Sequence, residues 1–274
     1  YEAVYQLSTV YCDRRRRIRN RRCGSGRPWN EDRFPRRPSA HPEMPTTPIL
    51  PEPQWAVTWQ SLVQSDFAPA ADLKVVDGNA AGSSSYGTDA ATVASFVTGM
   101  QTGLQEQKVT AAIGHFPGIG STTQSTKNGM ASTDRSAEDF RANEFAVFQS
   151  CIDSGETKMI TVSNMAAPSL TGDNTPCSLS GAVVTDILRN ELNFRGVIVS
   201  GAMNQAAITN YYGADEAAVL ALRAGCDMIY APENFETAYN GVLEAVQNGT
   251  ISEERVNDSL RRIYRIKYAD KIEQ

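Results

Sequence analysis

Four short, almost uninterrupted apolar runs recur along the chain: "VTAAI" at 109–113, "KMITVS" at 158–163, "GVIVS" at 196–200 and "CDMIYA" at 226–231. A strand that is apolar on both faces must be covered on both, which is the condition of a parallel sheet flanked by helices. The stretches between the runs supply those helices. Phe140, Val147, Phe148 and Cys151 share one face at helical spacing, as do Val184, Ile187, Leu188 and Leu192, and again Tyr239, Val242, Leu243 and Val246. Residues 90–107 predict an alanine-rich helix, and "DFAPAADLK" at 66–74 predicts a further strand with its loop. Ser252 ahead of Glu253 and Glu254 reads as the cap and first turn of a last helix, with Val256, Leu260, Ile263 and Tyr264 as its buried stripe. Gly225 and Gly249 stand where helices should stop. This α/β alternation admits two architectures, a (β/α)8 barrel or an open doubly wound sheet, and the period alone does not choose between them.

Several classes of function find no support in the residues. No G-x-G-x-x-G turn follows a first strand, and "GSSSYG" at 82–87 reads as a solvated turn, so no nucleotide cofactor is expected. The five cysteines are scattered and odd in number, which reads as buried free thiols. With His41 and His115 as the only histidines, no metal site is expected. No apolar run is long enough to span a bilayer. Charge is unevenly spread: residues 1–53 hold 11 arginines, 6 acidic residues and 8 of the 13 prolines, which makes them about +5 and the remainder about −10. The run "DRRRRIRNRR" at 13–22 has the charge of a nucleic-acid or membrane-surface arm. It is not amphipathic and has no interleaved aromatics for base stacking, so it reads as a solvated segment and no nucleic-acid partner is expected. These contrasts divide the chain into an irregular Arg/Pro-rich segment, 1–54, and a folded body, 55–274. A chain that opens at Tyr1 without methionine reads as a fragment or a processed end, and cytoplasmic and secreted locations both stay open.

The stretch "AAIGHFPGIGSTTQSTKNG" at 111–129 is where chemistry is best looked for. It begins as a buried strand and breaks at glycine and proline into a polar loop, with His115 at the break. Rigid strand ends in α/β folds present polar side chains to a mouth lined by loops. A strand-end histidine tied only to backbone is the competing reading.

Four segments carry a resemblance to a known family: "FAPAADL" at 67–73, "HFPGIGSTTQ" at 115–124, "TPCSLSGAVVTDILRNELNFRGVIV" at 175–199 and "YYGADEAAVLALRAGCDMI" at 211–229. They resemble the family 3 glycoside hydrolases, specifically the bacterial β-N-acetylhexosaminidase branch. The resemblance implies a TIM-type (β/α)8 barrel, irregular or incomplete at its N-terminus. It also implies retaining hydrolysis of terminal N-acetylglucosaminides without metal or cofactor, and an N-acetylglucosamine-type carbohydrate as partner.

A retaining glycosidase needs a carboxylate nucleophile and a proton carrier. In this branch the nucleophile is the aspartate of a "V-T-D-A-M-N-M" strand end, and the carrier is the histidine of a "D-S/T-H" loop. The matching strand end here is "VSGAMNQ", with Gly201 at the nucleophile position, and the matching loop is "QSTKNG", with Ser125 and Lys127 at the aspartate and histidine positions. Glycine cannot form a glycosyl-enzyme, and a lysine of ordinary pKa, about 10, stays protonated near neutrality. The family's "K-H" pair becomes Gly114 and His115, and Ser84 stands at its sugar-binding arginine. His115 and Asp72 are the matched polar positions that survive and are the expected substrate contacts. The expectation is a catalytically silent barrel with at most weak sugar binding. The alternative is an active hexosaminidase drawing its groups from unmatched positions such as Glu233, or one whose sequence is misassigned over 11–53. There the family's "D-Q-E-G-G-R-V" has become "CDRRRRIRN", and only Asp13 and Ile18 keep an echo of it.

Overall fold

The structure, a computed structural model, describes residues 65–269. The Arg/Pro-rich segment 1–54, with its charge run and the echo at Asp13, lies outside the described residues. Strands β1 (Ser65–Asp66), β2 (Thr110–Phe116), β3 (Met159–Val162) and β4 (Val197–Val199) form one sheet in the order β1-β2-β3-β4. Every pairing is parallel, with Ser65 opposite Thr110, Ile113 opposite Ile160, and Ile160 opposite Ile198. Spatial order follows chain order without reversal, as in one arc of a barrel; a doubly wound sheet reverses at its switch point.

The run "CDMIYA" takes the fifth place. Among the described residues it makes a single parallel bridge, Val199 to Met228, supported by Asp227 N donating to Ile198 O at 2.7 Å and Met203 N donating to Tyr230 O at 2.9 Å. The predicted strand at 66–74 is likewise short, continuing past β1 only as a bridge from Ala70 to Gly114. Within the described residues the sheet is an open arc.

Helices cover the arc where the apolar periods predict. Helix α1 (Ala90–Glu106) is capped by the Asp89 side chain, which accepts from Thr92 N at 2.7 Å. Phe140, Val147, Phe148 and Cys151 are all fully buried, but not on one helix. The chain breaks at Asn143, between a short helix Ala137–Ala142 and α2 (Glu144–Asp153). Val184, Ile187 and Leu188 are buried on Ala182–Glu191, whose turns are of the π type, and buried Leu192 just past its end closes it with its N on Ile187 O at 2.9 Å.

Two faces turn out differently from the periodic reading. On α4 (Phe235–Gln247) the buried residues are Ala238 and Ala245, while Tyr239, Val242, Leu243 and Val246 are half-buried. Helix α3 (Ala214–Ala224) comes so close that a Cβ on Gly241 would lie 2.4 Å from Asp215 Cβ, so small residues hold the interface. On α5 (Glu253–Lys267), Ser252 caps through Arg255 N as read, and Ile263 is buried, but Tyr264 is exposed beside Tyr268. A polar anchor sets the rotation of this helix. Buried Asp227 accepts from Ser259 Oγ at 2.7 Å, from Arg262 at 2.9 Å and from Ile198 N at 2.9 Å, and it pairs with Arg189. Cys151, Cys177 and Cys226 are buried and free, and burial pushes their thiols up to about 11, 12 and 12.

Candidate functional site

The carboxyl ends of β2, β3 and β4 share one rim. The pairing of β2 with β3 shifts register between Ile113 and Phe116, a bulge of the kind that re-aims a side chain beside functional sites. His115 sits in it, its side chain half exposed while its neighbours are buried. Asp72, fully buried, reaches it from the segment after β1, with Oδ2 lying 2.9 Å from His115 Nδ1. The same carboxylate accepts from His115 N at 3.2 Å and from Ile119 N at 2.9 Å. The imidazole is therefore oriented by a carboxylate, which leaves Nε2 for whatever meets the rim. Burial works against the protonated ring and Lys127 repels it. The charge and hydrogen bond of Asp72 outweigh both and hold the His115 pKa above its ordinary value.

The polar loop after His115 folds back over the rim. Ala207 N donates to Thr126 O at 3.0 Å, which brings residues 125–127 against the segment that follows Gly201. Ser125 and Lys127 are exposed, and Ser125 Oγ accepts from Lys127 N at 3.3 Å. Behind the loop, buried Glu144 faces Arg135 Nε at 2.6 Å and packs against Gly118. Burial raises the Glu144 carboxyl to about 7 although Arg135 pulls it down. Ser84 is exposed in a 3₁₀ turn, Gly82–Ser84, in a loop tied to Gly120 and Thr122. Glu233 is exposed immediately before the Asn234 cap of α4.

Gly201 and Gly114 lie on this rim with their side-chain volumes already filled. A Cβ on Gly201 would stand 2.4 Å from Asn164 Oδ1, and one on Gly114 would stand 2.0 Å from Thr161 Oγ1. Asn164 is buried in a network: Ser178 Oγ donates to its Oδ1 at 2.6 Å, and its Nδ2 donates to Ala202 O at 2.8 Å and Gln205 Oε1 at 3.2 Å. Thr161, Asn164, Ser178 and Gln205 were not singled out from sequence. The signal available was the polar "SN" that closes the apolar run of β3, since polar residues at strand ends of such sheets face the rim.

A parallel arc in chain order with polar side chains gathered at its carboxyl rim is the arrangement of a (β/α)8 barrel, whose sites lie at that face. The chain belongs to glycosyl hydrolase family 3: residues 60–266 match the family's N-terminal domain, a TIM-type (β/α)8 barrel of which the described residues form an arc. It is similar to a beta-hexosaminidase of Nitrosomonas eutropha, 31% identical over 167 residues, which is 61% of this chain and 47% of that protein. A beta-hexosaminidase of Stenotrophomonas maltophilia is 31% identical over 64% of this chain and 52% of its own length. Among solved structures, a family 3 beta-N-acetylglucosaminidase from a Paenibacillus species superposes with a TM-score of 0.73 at 32% identity, covering 77% of this chain and 41% of that one. The chain thus spans about half the length of these curated relatives or less. Among the described residues no helix is long and apolar enough to cross a membrane.

Proposed function

We propose that this chain is a hexosaminidase-like family 3 barrel whose glycosidase chemistry is gone, retaining at most weak contact with an N-acetylglucosamine-type sugar. The observation that carries the reading is Gly201, at the position matched to the nucleophile, with the Asn164 carboxamide filling the space beside its Cα. Retaining hydrolysis proceeds through a bond between a carboxylate and the anomeric carbon, and no carboxylate occupies this strand end. Lys127 and Ser125 stand where the loop's proton carrier and its orienting acid would be, so the histidine–carboxylate pair that would move the proton is missing from the loop. His115, oriented by Asp72, is the group left to touch a sugar hydroxyl, with Asp72 as its positioning residue. The body 55–274 is the functional unit in this reading, and neither nucleic acid nor a cofactor has a part in it.

The names of the relatives favour a second reading, an active hexosaminidase that draws its catalytic groups from unmatched positions of this chain, with Glu233 as the candidate carboxylate. The two readings part on trapping. Incubation with a fluorinated slow N-acetylglucosaminide followed by intact-mass measurement should give no adduct, and calorimetry with N-acetylglucosamine should give a Kd weaker than about 1 mM, since the charged donors at 84 and 114 are absent. A stoichiometric glycosyl adduct would establish the second reading.

A further inference from the structure

We propose that Asn164 and Thr161 are the exclusion residues of this rim: from the one strand β3 and its end they fill the side-chain volumes of Gly201 on β4's end and Gly114 on β2, and so hold both positions at glycine. The proposal rests on the reading above only for what those volumes would otherwise contain.

Neither glycine is required by its backbone, because both take conformations open to residues with side chains; the left-handed positions are others, such as Gly118 and Gly225. What excludes a side chain is a neighbour. At Gly120 the obstacle is the Leu73 backbone carbonyl, and at Gly196 it is the Lys158 carbonyl together with the Phe194 ring. At Gly114 and Gly201 the obstacles are polar side chains, and both come from the element between the two glycines. Asn164 cannot give way cheaply, since moving it breaks bonds to Ser178, Ala202 and Gln205 in a buried setting. Thr161 Oγ1, also buried, donates to Ile113 O at 3.1 Å. Both contacts lie far inside the approach that real Cβ atoms make. Elsewhere, at Gly99 and Gly103 of α1, an added Cβ would meet nothing within 4 Å.

The consequence is directional. A lysine at 114 or an aspartate at 201 cannot be accommodated by changing that residue alone. Asn164 or Thr161 must be cut back first, so the rim is closed against a larger side chain by two residues outside the matched catalytic set.

Thermal unfolding of the full chain tests this as two double-mutant cycles. Gly201→Ala and Gly114→Ala should each lower Tm by about 3–10 °C, the range of overpacking in a body of this size. Gly99→Ala, the control, should not lower it. In an Asn164→Ala background, Gly201→Ala should cost less than half its shift in the parent, and Thr161→Ala should relieve Gly114→Ala in the same way. A Gly201→Ala shift as small as the control's, or one unchanged by Asn164→Ala, would overturn the proposal. If Gly201→Ala yields no folded protein, recovery of soluble protein in Asn164→Ala/Gly201→Ala supports it, and failure of the double variant while Asn164→Ala folds overturns it. The cycles read packing alone, so glycosidase turnover by the parent chain would sink the silent reading and leave this result standing.

Discussion

Replacing Asp227 by alanine removes the acceptor shared by β4, the π-type helix and α5, and its cost can be worked from its partners. The carboxylate is buried and takes Ile198 N, Ser259 Oγ and Arg262, while Arg189 pairs with it and Arg255 lies 3.7 Å away. Burial already lowers the Arg189 pKa to about 10 with Asp227 in place, so without it a buried guanidinium is left facing no countercharge. Removing one partner of a buried ion pair costs about 3–5 kcal/mol. At about 2–4 °C per kcal/mol for a body of this size, the Tm should fall by about 6–20 °C. Asp227→Asn should recover little, because its amide would meet the Ile198 N–H or a guanidinium donor to donor. The exposed pair Arg261–Asp258 provides the control: Asp258→Ala should cost less than about 1 kcal/mol. The assay is far-UV circular dichroism on heating. If Asp227→Ala melted within the range of Asp258→Ala, the network would not be the anchor of α5 and the rotation argument for Tyr264 would fail with it.

Two further predictions concern protons near the rim. Glu144, facing Arg135 and Asp139, has its folded pKa raised from 4.5 to about 7 by burial. Its contribution to stability is complete below the ordinary value and is lost as pH rises through about 7, so Glu144→Gln should flatten the decline of the urea midpoint between about pH 5 and 8; a variant curve parallel to the parent's contradicts this. His115 should titrate above its ordinary 6.5 in proton NMR, with stability from its charged form present below that value and lost above the folded pKa. Asp72→Asn should bring the His115 value down, His41→Gln assigns the two ring signals, and an unmoved His115 curve in Asp72→Asn refutes the pairing.

The parts of this molecule that repeat were legible in its sequence. The apolar runs at 109–113, 158–163 and 196–200 are strands, because burial on both faces leaves a local signature. The helical stripes at 140–151 and 184–192 are buried as their period predicts. What the period misses is set by distant partners. Tyr264 is turned outward by Arg262 and Ser259 on Asp227, and the tyrosine and valines of α4 yield to alanines where Gly241 meets Asp215. The break at Asn143 and the π turns depend on packing that no local window holds. At the rim, motif matching singled out His115, Asp72, Gly114, Ser125, Lys127, Gly201 and Ser84; the structure bonds Asp72 to His115 and returns the 125–127 loop against the segment after Gly201. The bond between Asp72 and His115 joins residues 43 apart in the chain and was not visible as a pair. Asn164 and Thr161 escaped notice because their role exists only against glycines on neighbouring strands.

The proposed loss of glycosidase chemistry at the rim is tested most directly by release of the aryl group from an aryl N-acetyl-β-glucosaminide by the purified full chain. A rate indistinguishable from buffer over hours is expected, because a barrel without nucleophile and proton carrier loses many orders of magnitude in rate. Release that is proportional to chain concentration, co-elutes with the chain through successive columns and is absent from a mock preparation would contradict it.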